Sequence, residues 1–171
     1  MIYDNYLSTF HECSNDDTNK EFLVANTIDC FNLDAYFVEK FKYLEIGDRP
    51  NSLDCIYSKS HNFLSNCLFV EFKNQRIKNI DELYSKVYNS VIIFISENNC
   101  SIEHCAANNF LLIVYRNYKE KISGHLGNLS NKFGKLKGLE RFKKYCFKEV
   151  NFITDLEFDN YITEFDCLSN Y

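Results

Sequence analysis

Two carboxylates and a lysine stand at positions from which they could carry out metal-assisted hydrolysis. Asp54 lies in one predicted strand, and Glu71 and Lys73 lie at the end of the next. Carboxylate oxygens are preferred ligands of a hard cation such as Mg²⁺, and a bound metal lowers the pKa of its water. Side chains two residues apart in a strand point to the same face. The Lys73 ammonium could therefore orient that water or stabilise the charge that builds on a phosphate.

The elements that must position these residues follow from the hydrophobic periodicity. Apolar residues recur at three- and four-residue steps where a helix is predicted, and they alternate or run continuously where a strand is predicted. Asn32 and Asn79 are suitable N-caps for two of the helices. In chain order, the predicted elements are helices over Lys20–Ile28 and Leu33–Leu44, a hairpin of strands over Leu53–Lys59 and Asn66–Lys73, a helix over Ile80–Ile95, and an interior strand over Phe110–Tyr115.

Charge is unevenly distributed along the second half of the chain. The stretch from Arg116 to Lys148 is strongly basic and holds four of the five glycines, whereas Glu149–Tyr171 contains no Lys or Arg. We expect the basic stretch to form a loop or lid with a short helix from Gly138, and the acidic segment to form a packed helix that starts near Thr154. A polyanion could bind the basic stretch, although a lysine-rich loop could also serve solubility alone.

The acid pattern and the order of the elements resemble the PD-(D/E)xK nucleases, the restriction-endonuclease-like superfamily. That family has an Asp in one strand and an acid-x-Lys in the next, as Asp54 and Glu71-x-Lys73 do here. The resemblance implies an α/β (α+β) fold with a central mixed sheet flanked by helices. Residues 1–171 would form a single domain, with the core at about 30–116 and a basic loop and C-terminal helical extension at about 117–171.

The same resemblance assigns roles to individual residues. Asp54 and Glu71 would hold Mg²⁺ or Mn²⁺, Lys73 would position the attacking water, and Gln75 would contact metal-bound water or the scissile phosphate. A glutamate of the first helix often completes the metal site in the family. Glu39 is the candidate that we favour for that role, and Glu45 is the other.

A metal-dependent nuclease is therefore the first functional hypothesis, with DNA favoured over RNA and a homodimer possible. Backbone phosphates would be bound without reading sequence by the basic residues Lys132, Lys135, Lys137, Arg141, Lys143 and Lys144. The alternative is a catalytically inactive protein of the same fold that binds a protein partner, for example an immunity, inhibitor or regulatory protein of a bacterial or phage conflict system. The net charge of −5 and the pI near 5.4 favour that alternative.

Length and cysteine content indicate the class of protein. A chain of 171 residues with 46% hydrophobic residues is typical of one globular domain, and its longest apolar runs are too short to cross a bilayer. We expect a cytoplasmic protein whose eight cysteines are reduced and mostly act as small hydrophobes. Cys100, His104 and Cys105 form a C-x3-H-C pattern that could supply three zinc ligands, but no second cluster follows to complete the site.

Overall fold

A six-stranded mixed β-sheet forms the centre of the structure. The computed structural model describes residues 5–16, 20–73, 80–116 and 137–168. The strands, in chain order, are β1 (Leu7–Thr9), β2 (Asn15–Asp16), β3 (Glu21–Phe22), β4 (Asp29–Asn32), β5 (Cys55–Tyr57), β6 (Cys67–Lys73), β7 (Asn109–Tyr115) and β8 (Glu149–Thr154). Within the large sheet the order is β1-β4-β5-β6-β7-β8, and β2 and β3 form a separate antiparallel pair.

The direction of the strands changes at β6. Neighbouring strands from β1 to β6 are antiparallel, whereas β7 runs parallel to both β6 and β8. The helices are α1 (Phe10–Cys13), α2 (Leu33–Lys40), α3 (Ile80–Asn98), α4 (Ile102–Asn108), α5 (Glu140–Tyr145) and α6 (Phe158–Leu168). None of the helices in the described ranges is long and apolar enough to cross a membrane.

Helices cover both faces of the sheet, so the protein has an α/β fold. On one face, α2, α3, α4 and α5 pack against a cluster that includes Phe69 and Leu111. On the other face, α1 and α6 pack against a cluster that includes Leu68 and Leu112. Successive residues of β6 and β7 thus enter opposite cores, and both strands are buried along nearly their whole length.

Several of the predicted elements are present. β5 and β6 form the predicted antiparallel hairpin, although β5 is shorter than predicted. The helix predicted from Ile80 extends to Asn98, and β7 is an interior strand between β6 and β8. Asn32 caps α2 by accepting a hydrogen bond from the backbone N–H of Ala35, but this helix ends at Lys40 rather than at Leu44.

Two predictions about secondary structure are wrong. Lys20–Ile28 is not a helix, because β3 pairs with β2 and the Oγ of buried Ser14 accepts hydrogen bonds from the N–H groups of Leu23 and Val24. The C-terminal extension is not only helical, because β8 joins the edge of the sheet beside β7. The predicted acidic helix is present as α6, which buries Phe158, Ile162 and Phe165.

Candidate functional site

The start of β5 and the end of β6 bring Asp54 and Glu71 together at the same end of two neighbouring interior strands. The two strands are antiparallel, so Asp54, which directly precedes β5, lies beside the last residues of β6. Its backbone N–H donates to the carbonyl oxygen of Val70 at 3.1 Å, and its Oδ2 accepts from the N–H of Phe72 at 2.5 Å. The carboxylate of Asp54 is therefore fixed by the backbone of the strand that carries Glu71.

Two ammonium groups contact the carboxylate of Glu71. Its Oε1 lies 2.5 Å from Nζ of Lys73 and 2.9 Å from Nζ of Lys86, which comes from α3. The same Lys86 Nζ is 3.7 Å from Oδ1 of Asp54. Oε1 of Glu71 and Oδ1 of Asp54 therefore both lie within 3.7 Å of the same ammonium nitrogen, so the two carboxylates are close together. The structure thus brings together Asp54, Glu71 and Lys73 as the sequence predicts.

Each acid has one oxygen without a hydrogen-bond partner in the described part of the chain. Glu71 is completely buried, and its Oε2 has no hydrogen-bond partner. Oδ1 of Asp54 has only the ion pair with Lys86, at a distance too long for a hydrogen bond. Unpaired carboxylate oxygens are costly to bury. The pair of acids therefore retains lone pairs for a ligand such as a cation.

The charges of this group change its acid–base behaviour. Burial, and after it the negative charge of Glu71, raises the pKa of Asp54 well above its usual value. Burial tends to lower the pKa of Lys86, but the charges of Asp54 and Glu71 outweigh this effect and raise it. Lys86 therefore stays protonated at neutral pH and supplies the positive charge that partly balances the two acids.

Lys86 is the residue of the site that the sequence analysis missed. It lies in α3 between the buried residues Leu83 and Val87 and four residues before buried Ser90. A charged residue at a position of a helix that faces the core is rare unless it is paired. That interruption of the apolar stripe was the available signal, but the sequence does not show which acids the lysine meets.

The structure does not bring Glu39 into the site. Glu39 pairs with Lys42 at 2.6 Å on the surface, where about half of its side chain is exposed. Another acid of α2, Asp34, lies at the rim of the site instead. Its Oδ1 accepts a hydrogen bond from Ser52, and the charges of Lys86 and Glu71 act on it. Five residues of helix separate Asp34 from Glu39, so their side chains point about 140° apart.

Glu45, the other candidate, is also outside this group. It is an exposed residue that directly precedes a short 3-10 helix over Ile46–Asp48. Neither predicted glutamate has a described contact with this group, and Asp34 is the acid of α2 whose carboxylate is bound to Ser52 and interacts with the charges of Lys86 and Glu71. Gln75 lies outside the described residues.

Helix α3 also fixes the backbone that leads into Asp54. The Oγ of Ser90, which is completely buried, accepts a hydrogen bond from the N–H of Leu53 at 2.9 Å. From the preceding residue, Nδ2 of Asn89 donates to the carbonyl oxygen of Asn51 at 3.0 Å. The helix that carries Lys86 therefore sets the distance between Lys86 and Asp54.

We expect Ser90→Ala to lower the free energy of unfolding by about 1–3 kcal/mol, because the buried N–H of Leu53 loses its acceptor. Asn89→Ala is the matched control, since it removes a more exposed hydrogen bond to the same segment. Urea denaturation followed by circular dichroism measures both variants. Equal losses in the two variants would contradict the role assigned to Ser90.

The described residues of the basic stretch lie at its two ends. Arg116 follows β7, and its backbone N–H donates to the carbonyl oxygen of Lys73 at 3.2 Å, so the basic stretch begins beside the site. Arg141 and Lys143 are exposed on α5, where the guanidinium of Arg141 lies 4.2 Å from the ring centroid of Tyr84. Lys132 and Lys135 lie outside the described residues, as do the side chains of Lys137 and Lys144.

The C-x3-H-C pattern does not assemble as three ligands. The sulfur atoms of Cys100 and Cys105 lie 4.0 Å apart. However, Nδ1 of His104 lies 3.3 Å from the side-chain amide of Asn108, and the three donor atoms do not all lie within 4.8 Å of one another. The pattern therefore offers a pair of thiols rather than a zinc site.

Comparison with protein-family models, with curated proteins and with solved structures finds no match for this chain.

Proposed function

We propose that this protein is a metal-dependent phosphodiesterase that cleaves DNA, with a core of the restriction-endonuclease-like type. One observation carries the proposal: Asp54 and Glu71 converge from adjacent strands, and each keeps one carboxylate oxygen without a hydrogen-bond partner in the described ranges, beside two lysine ammonium groups. The order α2, β5, β6, α3, α4, β7 supports the proposed core, because apart from α4 it is the helix–strand–strand–helix–strand order on which the resemblance rests, one strand short of the family core.

The donor set suits a hard divalent cation. All candidate ligands are carboxylate oxygens, which favours Mg²⁺ or Mn²⁺ over softer metals. The donor atoms of Asp34, Asp54 and Glu71 do not all lie within 4.8 Å of one another. We therefore assign direct ligation to Asp54 and Glu71 and a water-mediated or purely electrostatic role to Asp34. A bound metal would lower the pKa of its water and stabilise negative charge on a phosphate.

The two lysines have different roles in the proposed site. The side chain of Lys73 is 23% exposed, which leaves its ammonium able to reach an attacking water or a phosphate oxygen. The side chain of Lys86 is 15% exposed and lies beside both acids, where it balances their charge. Lys73 is thus the proposed catalytic residue, and Lys86 is a positioning residue that keeps the two carboxylates together.

The point at which the basic stretch begins, beside Lys73, supports a polyanionic substrate. Lys73 pairs with Tyr115 across β6 and β7, and the chain continues from Arg116 into its most basic part. We propose that Lys132, Lys135, Lys137 and Lys144, with Arg141 and Lys143 on α5, bind backbone phosphates without reading the bases. Such binding weakens steeply as the salt concentration rises.

A second candidate is an inactive binding protein of the same fold. The observation that favours it is the contact of Lys86 with both acids, since an ammonium group there can satisfy the charges without any metal. In that case the cluster would be a buried ion network that stabilises the fold, and the protein would act through a protein partner.

Cleavage assays with matched variants separate the two candidates. Purified protein is incubated with plasmid DNA, single-stranded DNA or RNA in Mg²⁺, Mn²⁺ or a chelator. We expect metal-dependent cleavage of DNA that Asp54→Asn and Glu71→Gln abolish. Asp34→Asn should reduce cleavage, whereas Glu39→Gln, on the same helix, should leave it unchanged.

Binding of Mn²⁺, measured by electron paramagnetic resonance, gives a readout that does not need activity. Asp54→Asn should weaken Mn²⁺ binding without loss of the folded state, which circular dichroism verifies. A wild-type protein that neither cleaves nucleic acid nor binds Mn²⁺ more tightly than Asp54→Asn would overturn the nuclease proposal and favour the binding protein. Light scattering of the same samples tests for the homodimer.

A further inference from the structure

Three cysteines from distant parts of the sequence meet on the face of the sheet opposite to the acids. Cys13 comes from α1, Cys30 from β4 and Cys55 from β5, and their three sulfur atoms all lie within 4.8 Å of one another. Among the His, Cys, Asp and Glu side chains of residues 5–16, 20–73, 80–116 and 137–168, this is the only such group of three or more. From the sequence, these cysteines are expected to act as separate small hydrophobes.

The distances between the sulfurs suit a shared metal ion. Two thiolates that each lie about 2.3 Å from a tetrahedral zinc ion are about 3.8 Å apart. The sulfurs of Cys13 and Cys30 are 3.7 Å apart. A disulfide would require a sulfur–sulfur distance near 2.05 Å. The thiols are thus already spaced as two ligands of one ion are.

The three thiols and their surroundings indicate which class of metal ion this group would bind. Cys30 and Cys55 are buried in the apolar cluster that contains Phe10 and Tyr57, while Cys13 is half-buried at its edge. Thiolate ligands select soft or borderline cations over Mg²⁺. The partial exposure of Cys13 leaves a route by which an ion and a fourth ligand could reach the group.

We propose that Cys13, Cys30 and Cys55 bind one thiophilic cation of the zinc class, with a water molecule or a small ligand in the fourth position. The ion would join α1 to the interior strands β4 and β5, and would therefore add its binding free energy to the stability of this part of the fold.

This site is independent of the proposed nuclease centre. Asp54 and Cys55 are consecutive, so their side chains point to opposite faces of the sheet. Cys55 lies in the core formed with α1 and α6, whereas Glu71 and Lys86 lie on the side of the sheet that α3 covers. An experiment that excludes one of the two sites therefore does not exclude the other. Asp54→Asn should not change Cd²⁺ binding at the cysteines.

Titration with Cd²⁺ tests the site directly in the full-length reduced protein. We expect one Cd²⁺ per chain with an ultraviolet charge-transfer band from the cadmium–thiolate bonds, and competition by Zn²⁺. Cys13→Ser should weaken Cd²⁺ binding by at least about tenfold. Cys167→Ser is the matched control, because Cys167 is exposed on α6 and is not one of the three clustered cysteines. The Cys167→Ser variant should bind Cd²⁺ as tightly as the wild type does.

Alkylation provides a second test that needs no variant. Zn²⁺ should slow the alkylation of Cys13 while Cys167 of the same molecule continues to react, as measured by peptide mass spectrometry. Equal reaction of Cys13 with and without Zn²⁺, or a charge-transfer band that Cys13→Ser does not weaken, would overturn the proposal and identify the group as a packing cluster of thiols only.

Discussion

Lys86→Met is expected to lower the free energy of unfolding by about 3–5 kcal/mol. The substitution keeps the apolar stem but removes the charge that lies 2.9 Å from Oε1 of Glu71 and 3.7 Å from Oδ1 of Asp54. Glu71 is completely buried and keeps only the partly solvated ammonium of Lys73, while Asp54 loses its only ion-pair partner among the described residues, so little of the lost interaction is recovered. Breaking a buried pair from one side costs more than the pair itself contributes, because a desolvated charge remains. Urea denaturation at neutral pH with a metal chelator measures the loss.

A double variant shows whether the cost comes from the remaining acid. Glu71→Gln combined with Lys86→Met removes both charges, and we expect it to recover much of the stability lost in Lys86→Met. Lys42→Met is a control for an exposed ion pair, since Lys42 pairs with Glu39 on the surface, and it should lower the stability far less than Lys86→Met does. A loss in Lys86→Met no larger than in Lys42→Met would show that Lys86 does not balance the buried acids.

Lys73→Ala is expected to lower the rate of DNA cleavage by about 10²–10³-fold, the effect typical of removing one group that stabilises a transition-state charge. Its effect on stability should be small, because Lys86 remains beside Glu71 and the ammonium of Lys73 is partly solvated. The two lysines contact the same carboxylate oxygen, but their variants should therefore differ in which property is lost. One variant loses stability, and the other loses activity.

Metal binding separates Lys73 from the proposed ligands. Lys73→Ala should bind Mn²⁺ at least as tightly as the wild type, because a positive charge beside the site is gone, whereas Asp54→Asn should bind it more weakly. Lys143→Ala removes an exposed charge on α5 and is the control for an effect on phosphate binding alone. At low salt, where the remaining basic residues still bind DNA, it should keep most of the cleavage rate. A Lys73→Ala protein that cleaves DNA at the wild-type rate would exclude the catalytic role.

The outline of the candidate site was predictable because it depends on local periodicity. Residues two apart in a strand must share a face, which places Glu71 and Lys73 together once β6 is recognised. The hairpin brings Asp54 to the same edge, and the apolar stripe of α3 predicts a helix that packs on this sheet. Each of these inferences needs only neighbouring residues and the short connection between two strands.

Tertiary packing determined the parts of the site that sequence spacing leaves open. The direction in which α2 docks decides that Asp34 rather than Glu39 faces the acids, since both residues fit the same helix. The docking of α3 likewise decides that Lys86 meets Asp54 and Glu71. A helical pattern identifies a buried stripe, but it does not specify which strand residues that stripe will contact.

Long-range strand pairing accounts for the remaining differences between the predicted and the observed structure. The central hairpin, the helix that follows it and the interior strand could all be predicted from the sequence, because each has a strong local pattern, a period in the hairpin and the helix and a continuous apolar run in the strand. Only the folded sheet placed β8 beside β7 and gathered Cys13, Cys30 and Cys55 from three separate elements. Contacts between residues far apart in the chain arise from the register and order of the strands, and no local pattern of residue types specifies these.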